Sequence, residues 1–573
     1  MKRILVAALA FVLVASCALS GAQARDVTPE ADVKMAKRNI AAVPTNEPEA
    51  KREASVSVPV EAKALKAAEL GTLGVAAMAT KGRGGGTGGY GSAPSPHRSF
   101  AAPMKMKMQL PASPALLDAT STSESYGHYG INPWVDAAKD RLSTFAVDVD
   151  TASYTIARRK ILEGQKPPKD AVRVEEMVNY FRYTYPEPKD GALGVHLDSA
   201  PSPFTEGKQL LRVGVQARHL SMGTRKPAHL TFLVDVSGSM SSPDKLPLAQ
   251  RSLRILVDAL HDGDTVALVT YAGGVRLVLP PTPMTKKADI HEAIANLSAG
   301  GSTSMAGGLE LAYEQAVKTL DAKSESRVIV LSDGDANVGA SNHEGMLKLI
   351  AGKVKEGVTL TTVGFGMGNY KDSTMEQLAN KGNGNHHYID SLMEAKRVFH
   401  TQVGSTLEVV AKDVKLQVEF DPAQVKSYRL IGYENRGIAD VDFRNDKIDA
   451  GEMGAGHTVT ALYEVELHGA AKAGFAKVSV RAKTPRGTEA SEHLFSLEGH
   501  ALADSFEKAS SDFRFATSVM GAAEIFRESP HANTWSLAKV IAMAQAATPE
   551  GNAERQEFLT LLQKSRGTYV SRR

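Results

Sequence analysis

The stretch TFLVDVSGSM, Thr231 to Met240, drives an apolar run straight into Asp235, Ser237 and Ser239. Where such a strand opens into a loop, these three oxygen-bearing side chains can converge on one point. A second loop, AGGSTSMAGG, offers Thr303 just before a helix, and a third, in VIVLSDGDAN, offers Asp333. Two carboxylates and three hydroxyls form a cage of hard oxygens. That cage suits Mg2+, which takes near-octahedral oxygens at about 2.0–2.1 Å and keeps some of its waters. Mn2+ and Ca2+ accept the same donor type. Two carboxylates balance a divalent charge, so the cation can still take a further anionic oxygen, and a carboxylate from a partner is the expected sixth ligand. Gly238, Gly300 and Gly301 let the loops approach closely. Asp335 adds a carboxylate nearby and reads as a turn-former or a support for the site.

The elements that would position these residues lie between His229 and about Gln402. Apolar runs LTFLVDV, TVALVTY, RVIVLSD and VTLTTVGFG alternate with helical stretches at Lys245 to Ala259, Ile290 to Leu297, Ala306 to Leu320, Glu344 to Lys355, Thr374 to Asn380 and Ser391 to Val403. This alternation predicts an α/β fold, a doubly wound and mostly parallel sheet with helices on both faces. Ligands of such sheets sit at the carboxyl ends of the strands. Asp235 and Asp333 each close a strand, so both fall on one rim.

The layout resembles the von Willebrand factor type A domain with its metal-ion-dependent adhesion site: D-x-S-x-S, then a threonine, then an aspartate at a strand end. The resemblance implies that Asp235, Ser237, Ser239, Thr303 and Asp333 are the metal ligands. It extends further. STFAVDVDTASYTIARRKIL with PPKDAVRVEEMVNYF, and DVKLQVEFDPAQVKSYRLIGYENR, are similar to the N- and C-terminal modules of bacterial YfbK-type von Willebrand A proteins. The match covers about Leu142 to Ser565. It implies an extracytoplasmic binding protein with no established catalytic activity.

Outside the central domain, DVKLQVEF, HTVTALYEVEL, AKVSVRAK and EHLFSLEG alternate at period two, as half-buried antiparallel strands do. ALGVHLDSAPSPF and QLLRVGVQAR, before the central domain, alternate likewise. Strands on both sides are therefore expected to pair into one β-sandwich that carries the α/β domain as an insertion. Helices are expected after Thr151, capped by Asp150 or Thr151, in DAVRVEEMVNYF, and in three segments beyond Asp504, their apolar faces forming core.

The N-terminus reads as a signal peptide: Lys2 and Arg3, an apolar stretch from Ile4 to Val14, then small residues. Two processing readings stand. Ala22-Gln23-Ala24 is an A-x-A site that would release a soluble protein. Val14-Ala15-Ser16-Cys17 resembles a lipobox, which would put a lipid on Cys17, the chain's single cysteine. Residues 25–130 are rich in Ala, Lys, Glu, Pro and Ser and include KGRGGGTGGYGSAPSP, a linker composition that reads as a disordered tether. The expected organisation is signal peptide 1–24, tether 25–130, N-terminal module 131–227, α/β domain 228–410, β-rich module 411–503 and helical segment 504–573.

Of the chain's 573 residues, 43% are hydrophobic and 23% charged, which excludes a collagen-like or fully disordered protein. A net charge of +3, with Lys and Arg scattered, gives no case for nucleic acid. Enzymatic motifs fail on their residues. His291-Glu292 lacks the second histidine of H-E-x-x-H, and Ser302 and Ser304 lack a G-x-S-x-G frame. Asp148 and Asp150 lack the threonine of D-x-D-x-T, because Ala152 stands there. His386 and His387 fall in a Gly/Asn-rich segment and read as a solvated loop pair. The expected function is a cation-dependent adhesion or scaffold module, not an enzyme, exported to the cell envelope. It would bind a protein with an exposed Asp or Glu, with membrane contact only through lipid on Cys17. A metal-dependent hydrolase or phosphotransferase at the same site is the alternative.

Overall fold

The computed structural model describes residues 124–147, 149–220, 225–302, 304–334, 340–367, 370–448 and 450–570. All of them fall in one compact unit, Leu110–Arg573. The signal peptide, most of the tether, Asp148, Thr303 and Asp335 lie outside the described residues.

The chain first lays down β1 (Val135–Asp136), β2 (Leu142–Ala146), α1 (Ala152–Leu162), α2 (Val174–Asn179), β3 (Leu193–Pro201) and β4 (Lys208–Ala217). The α/β domain follows: β5 (Ala228–Asp235), α3 (Leu246–Asp258), β6 (Thr265–Tyr271), β7 (Val275–Pro283), α4 (Lys287–Ala295), α5 (Met305–Lys318), β8 (Glu325–Ser332), α6 (Ala340–Glu356), β9 (Val358–Phe365), α7 (Asp372–Lys381), β10 (His386–Ile389), α8 (Leu392–Lys396) and α9 (Val403–Leu407). Its sheet runs β10-β9-β8-β5-β6-β7. All neighbours are parallel except the β6/β7 pair. The central strands are buried on both faces. Leu230, Phe232 and Val234 face a core with Leu253 of α3, Ile290 of α4 and Val398. Leu233 faces the opposite core with Leu309 of α5, Met346 of α6 and Met375 of α7.

After the insertion come β11 (Val409–Phe420), β12 (Val425–Ile431), β13 (Gly451–Gly454), β14 (Thr458–Leu467), β15 (Ala476–Lys483), β16 (Ala490–Ser496), α10 (Ser511–Phe526), α11 (Leu537–Ala546) and α12 (Ala553–Val570). One sheet runs β1-β12-β14-β4-β3. The other runs β13-β11-β15-β16, with β2 also paired to β11. Strands from before and after the insertion therefore share hydrogen-bond ladders: β4 with β14, β1 with β12, β2 with β11, all antiparallel. The sandwich around an inserted α/β domain is as the alternation predicts. Helices α10, α11 and α12 bury their apolar faces with those of α1 and α2.

Buried ion networks tie the inserted domain to its surroundings. Arg173, just before α2, pairs with Glu176 of its own helix and reaches Asp372 at 2.9 Å and Glu376 at 3.1 Å, both on α7. Arg436 pairs with Asp150 at 3.0 Å and bonds Asn380 at 2.9 Å. Asp150, Glu176 and Glu376 bring carboxylate oxygens within 4.8 Å of one another, with these guanidinium groups in contact. Arg158 of α1 similarly grips Asp390, Glu394 and, on α12, Glu557.

Three expectations are corrected. The folded part begins no later than Glu124, because its buried carboxylate pairs with Arg159 and Lys160 of α1 at 2.8 Å each. Thr151 does stand at the N-cap of α1, but its side chain makes no capping hydrogen bond. Asp150 instead accepts the His386 amide at 2.7 Å and faces Arg436. His386 and His387 are not in a solvated loop. They begin β10, paired in parallel with β9, and both are buried. The tight turn before them brings Gly384 against β9, where a Cβ would stand 2.1 Å from the Leu360 carbonyl oxygen. Gly384→Ala is expected to cost about 1–3 kcal/mol, since backbone rather than a movable side chain is in the way. Urea unfolding monitored by circular dichroism checks this, and an unchanged midpoint would contradict it.

Candidate functional site

The parallel register sets Val234 of β5 beside Leu331 of β8. Asp235 and Ser332, one residue further along each strand, are thereby neighbours at the carboxyl edge. The Ser332 hydroxyl donates to Asp235 Oδ2 at 2.9 Å, and the Ser237 amide donates to Oδ1 at 2.9 Å. These two bonds fix the carboxylate's plane. Ser237 Oγ and Ser239 Oγ lie 3.0 Å apart, so the alternate hydroxyls do converge. Asp333 follows Ser332 directly and is fully buried, as is Asp235. The second loop is tied to the first by Gly238 N–H to Gly301 O at 3.0 Å and Gly300 N–H to Val236 O at 2.7 Å. Ser239 is only half-buried and Gly238 is exposed, so the cluster reaches the surface.

The electrostatics are those of a site short of positive charge. Burial raises the pKa of Asp235, and the neighbouring Asp333 carboxylate raises it further, against the hydrogen bonds from Ser237 and Ser332. A cation among these oxygens would remove both penalties. The ammonium of Lys245 lies 2.9 Å from Asp333 Oδ2, and its side chain is 7% exposed. The donors in this cluster are all oxygens, which fits a hard divalent ion such as Mg2+, Mn2+ or Ca2+ better than a thiolate- or imidazole-seeking one.

Four of the five residues expected at the site, Asp235, Ser237, Ser239 and Asp333, stand together; Thr303 and the nearby Asp335 are outside the described residues. The sequence reading missed two others. Ser332 was readable in principle, as the residue that the strand register sets beside Asp235. Lys245 carried no signal beyond marking a helix start, because it lies 88 residues from Asp333.

Residues 229–401 match the model of the von Willebrand factor type A domain. Residues 405–567 match that of the YfbK C-terminal region, and residues 120–212 match one described as von Willebrand factor. The protein YfbK of Escherichia coli (strain K12) is 38% identical over 471 residues, spanning 77% of this chain and 81% of that protein. The chain belongs to the YfbK family. A more distant likeness links it to inter-alpha-trypsin inhibitor heavy chain H3 of Mesocricetus auratus, 24% identical over 42% of this chain and 29% of that protein. Among solved structures, a von Willebrand factor type A protein from Catenulispora acidiphila covers 67% of this chain and 91% of its own, at 16% identity and a TM-score of 0.39. Some members of the von Willebrand A domain family bind proteins through a metal-ion-dependent adhesion site with a divalent ion. In this YfbK-family chain, the cluster at Asp235 and Asp333 stands in the domain that matches.

Proposed function

We propose that the chain is an extracytoplasmic capture protein whose A domain holds a divalent cation and uses it to bind a carboxylate of a protein partner. The cation would be held by Asp235, Ser237, Ser239, Thr303 and Asp333, with Mg2+ the preferred ion. The observation that supports this most is the meeting of two buried carboxylates and two serine hydroxyls at one strand edge, with a raised Asp235 pKa that a cation would relieve. Export rests on the sequence of residues 1–24, and anchoring, if Cys17 is lipidated, on that residue. Among the described residues no helix is long and apolar enough to cross a membrane.

Asp235→Ala tests the reading. For the unaltered chain, adding Mg2+ at about 100-fold its Kd should stabilise the fold by about 2.7 kcal/mol through linkage. Thermal melting would show this as an upward shift absent in chelator. The variant should lose the shift, whatever its own melting point in chelator, which the unpaired Ser237 amide and Ser332 hydroxyl will lower. Magnesium-dependent retention of an envelope protein should vanish with it. Equal Mg2+ shifts in both proteins would refute the site. Turnover of a generic phosphoester by the metal-loaded protein would instead favour the hydrolytic alternative.

A further inference from the structure

Lys245 introduces a charge that the oxygen cage does not need for holding a cation. Its backbone is fixed at the start of α3: its amide donates to Ser242 O at 3.0 Å, and its carbonyl accepts the Ala249 amide at 2.8 Å. Its stem lies over Gly366, where a Cβ would come 2.2 Å from Lys245 Cγ. Gly366 has φ +77°, so glycine serves there both conformationally and sterically. The side chain is thus held over glycine backbone and delivered to Asp333 at 2.9 Å, nearly out of solvent. A lysine tolerated at low exposure beside a divalent site must lower affinity for the cation, since like charges at short range repel strongly where water is scarce.

The cost has a counterpart in the next step. Two carboxylates and a divalent cation leave a neutral site. With the Lys245 ammonium beside it, the loaded site carries one surplus positive charge. A single carboxylate brings that to neutrality, whereas a neutral oxygen ligand leaves the surplus and a phosphate dianion overshoots it. We propose that Lys245 sets the ligand class of this site: it holds Asp333 while the cation is absent, weakens cation binding, and makes the loaded site selective for a monoanionic carboxylate. The proposal rests on the cation-site reading above and deepens it.

The two binding steps should respond to Lys245 in opposite directions, which a purely structural ion pair would not produce. Mn2+ serves as the probe, with free ion counted by electron paramagnetic resonance and carboxylate binding followed by water-proton relaxation as N-acetyl-aspartate amide is added to the loaded full-length chain. Lys245→Met should bind Mn2+ at least about fivefold more tightly and the aspartate derivative at least about fivefold more weakly. Lys245→Arg, which keeps the charge, should recover carboxylate binding. Lys245→Gln carries the same test should the methionine variant fail to fold. Unchanged or weaker Mn2+ binding in the neutral variants, or unchanged carboxylate binding, would overturn the role of Lys245 while leaving the metal site standing. Mn2+ binding that persists in Asp235→Ala would overturn the site itself, and the proposal with it.

Discussion

Arg173→Met should destabilise the folded unit by about 3–5 kcal/mol, the range for removing one partner of a buried ion pair. Arg173 is buried, and burial works against its charge, but Asp372, Glu176 and Glu376 more than compensate and hold its pKa well above the ordinary value. Without the guanidinium these three carboxylates stay in the interior with less counter-charge. Asp372, which burial alone would raise, is kept below the usual carboxylate range by Arg173 first and His386 second. Part of the cost will appear as protonation of one of these acids, so the deficit should shrink at low pH. The damage should be local before it is global. Arg173 joins the residues preceding α2 to α7 of the inserted domain, so hydrogen exchange in α7 and β10 should accelerate before that of the β4/β14 ladder. Equal exchange in the two regions, or a loss under about 1 kcal/mol, would show that Arg436 and Asn435, whose side-chain amide donates to Glu376 Oε1 at 2.8 Å, carry the junction unaided.

Acid should destabilise the protein before its paired carboxylates titrate. Among the described residues neither ring nitrogen of His387 has a hydrogen-bond partner, and its pKa is pushed down to about 3 by burial first and then by Arg397 and His386, against Glu394 and with a further push from His457. His457 accepts the Gly454 amide on Nδ1 at 3.3 Å. Its pKa is pushed down to about 4 by burial, with Arg182, Arg327 and Arg397 adding to it. The unfolded chain takes up these protons near pH 6.5 and the native state does not. Stability is therefore complete above about 6.5 and falls as pH drops toward 4, by on the order of several kcal/mol for two groups so displaced. Glu466, held down at about 2 by Lys208 and Lys426, adds its loss only below about 4.5. Melting temperature measured from pH 8 to 4 should decline across the histidine window, and His387→Leu should flatten it. A profile level between pH 7 and 5 would contradict this account.

How far the sequence reveals this molecule varies by element. The meeting of Asp235, Ser237 and Ser239 at the rim was readable because a buried strand ending in these residues breaks its own pattern. The sandwich was readable because period-two strands appear on both sides of the α/β alternation. Strand β7 was not, since Pro280, Pro281 and Pro283 argue against a strand; it forms as an antiparallel edge, where missing amide donors can be accommodated. The burial of His386 and His387 was hidden because β10 is only four residues long and its flanking Gly and Asn residues make a turn look like a loop. Glu124 and Lys245 were invisible for a shared reason: each matters through partners distant in the chain, and neither position carries a periodic signal.

The placement of the α/β domain between β4 and β11 also fixes an order of events at synthesis. Residues 228–407 form a sheet whose strands all come from within that span, so it can fold as soon as it emerges. Strand β4 has its neighbour β3 at once, but its other ladder partner, β14, begins at Thr458, and α1 awaits α12 near the very end. Until β14 is made, β4 exposes an open edge, and until α12 is made, the Tyr154 and Ile161 side of α1 lacks part of its cover. Pairing across such separations is slow. In that unfinished condition the N-terminal third is open to association with other chains until the far end of its own arrives.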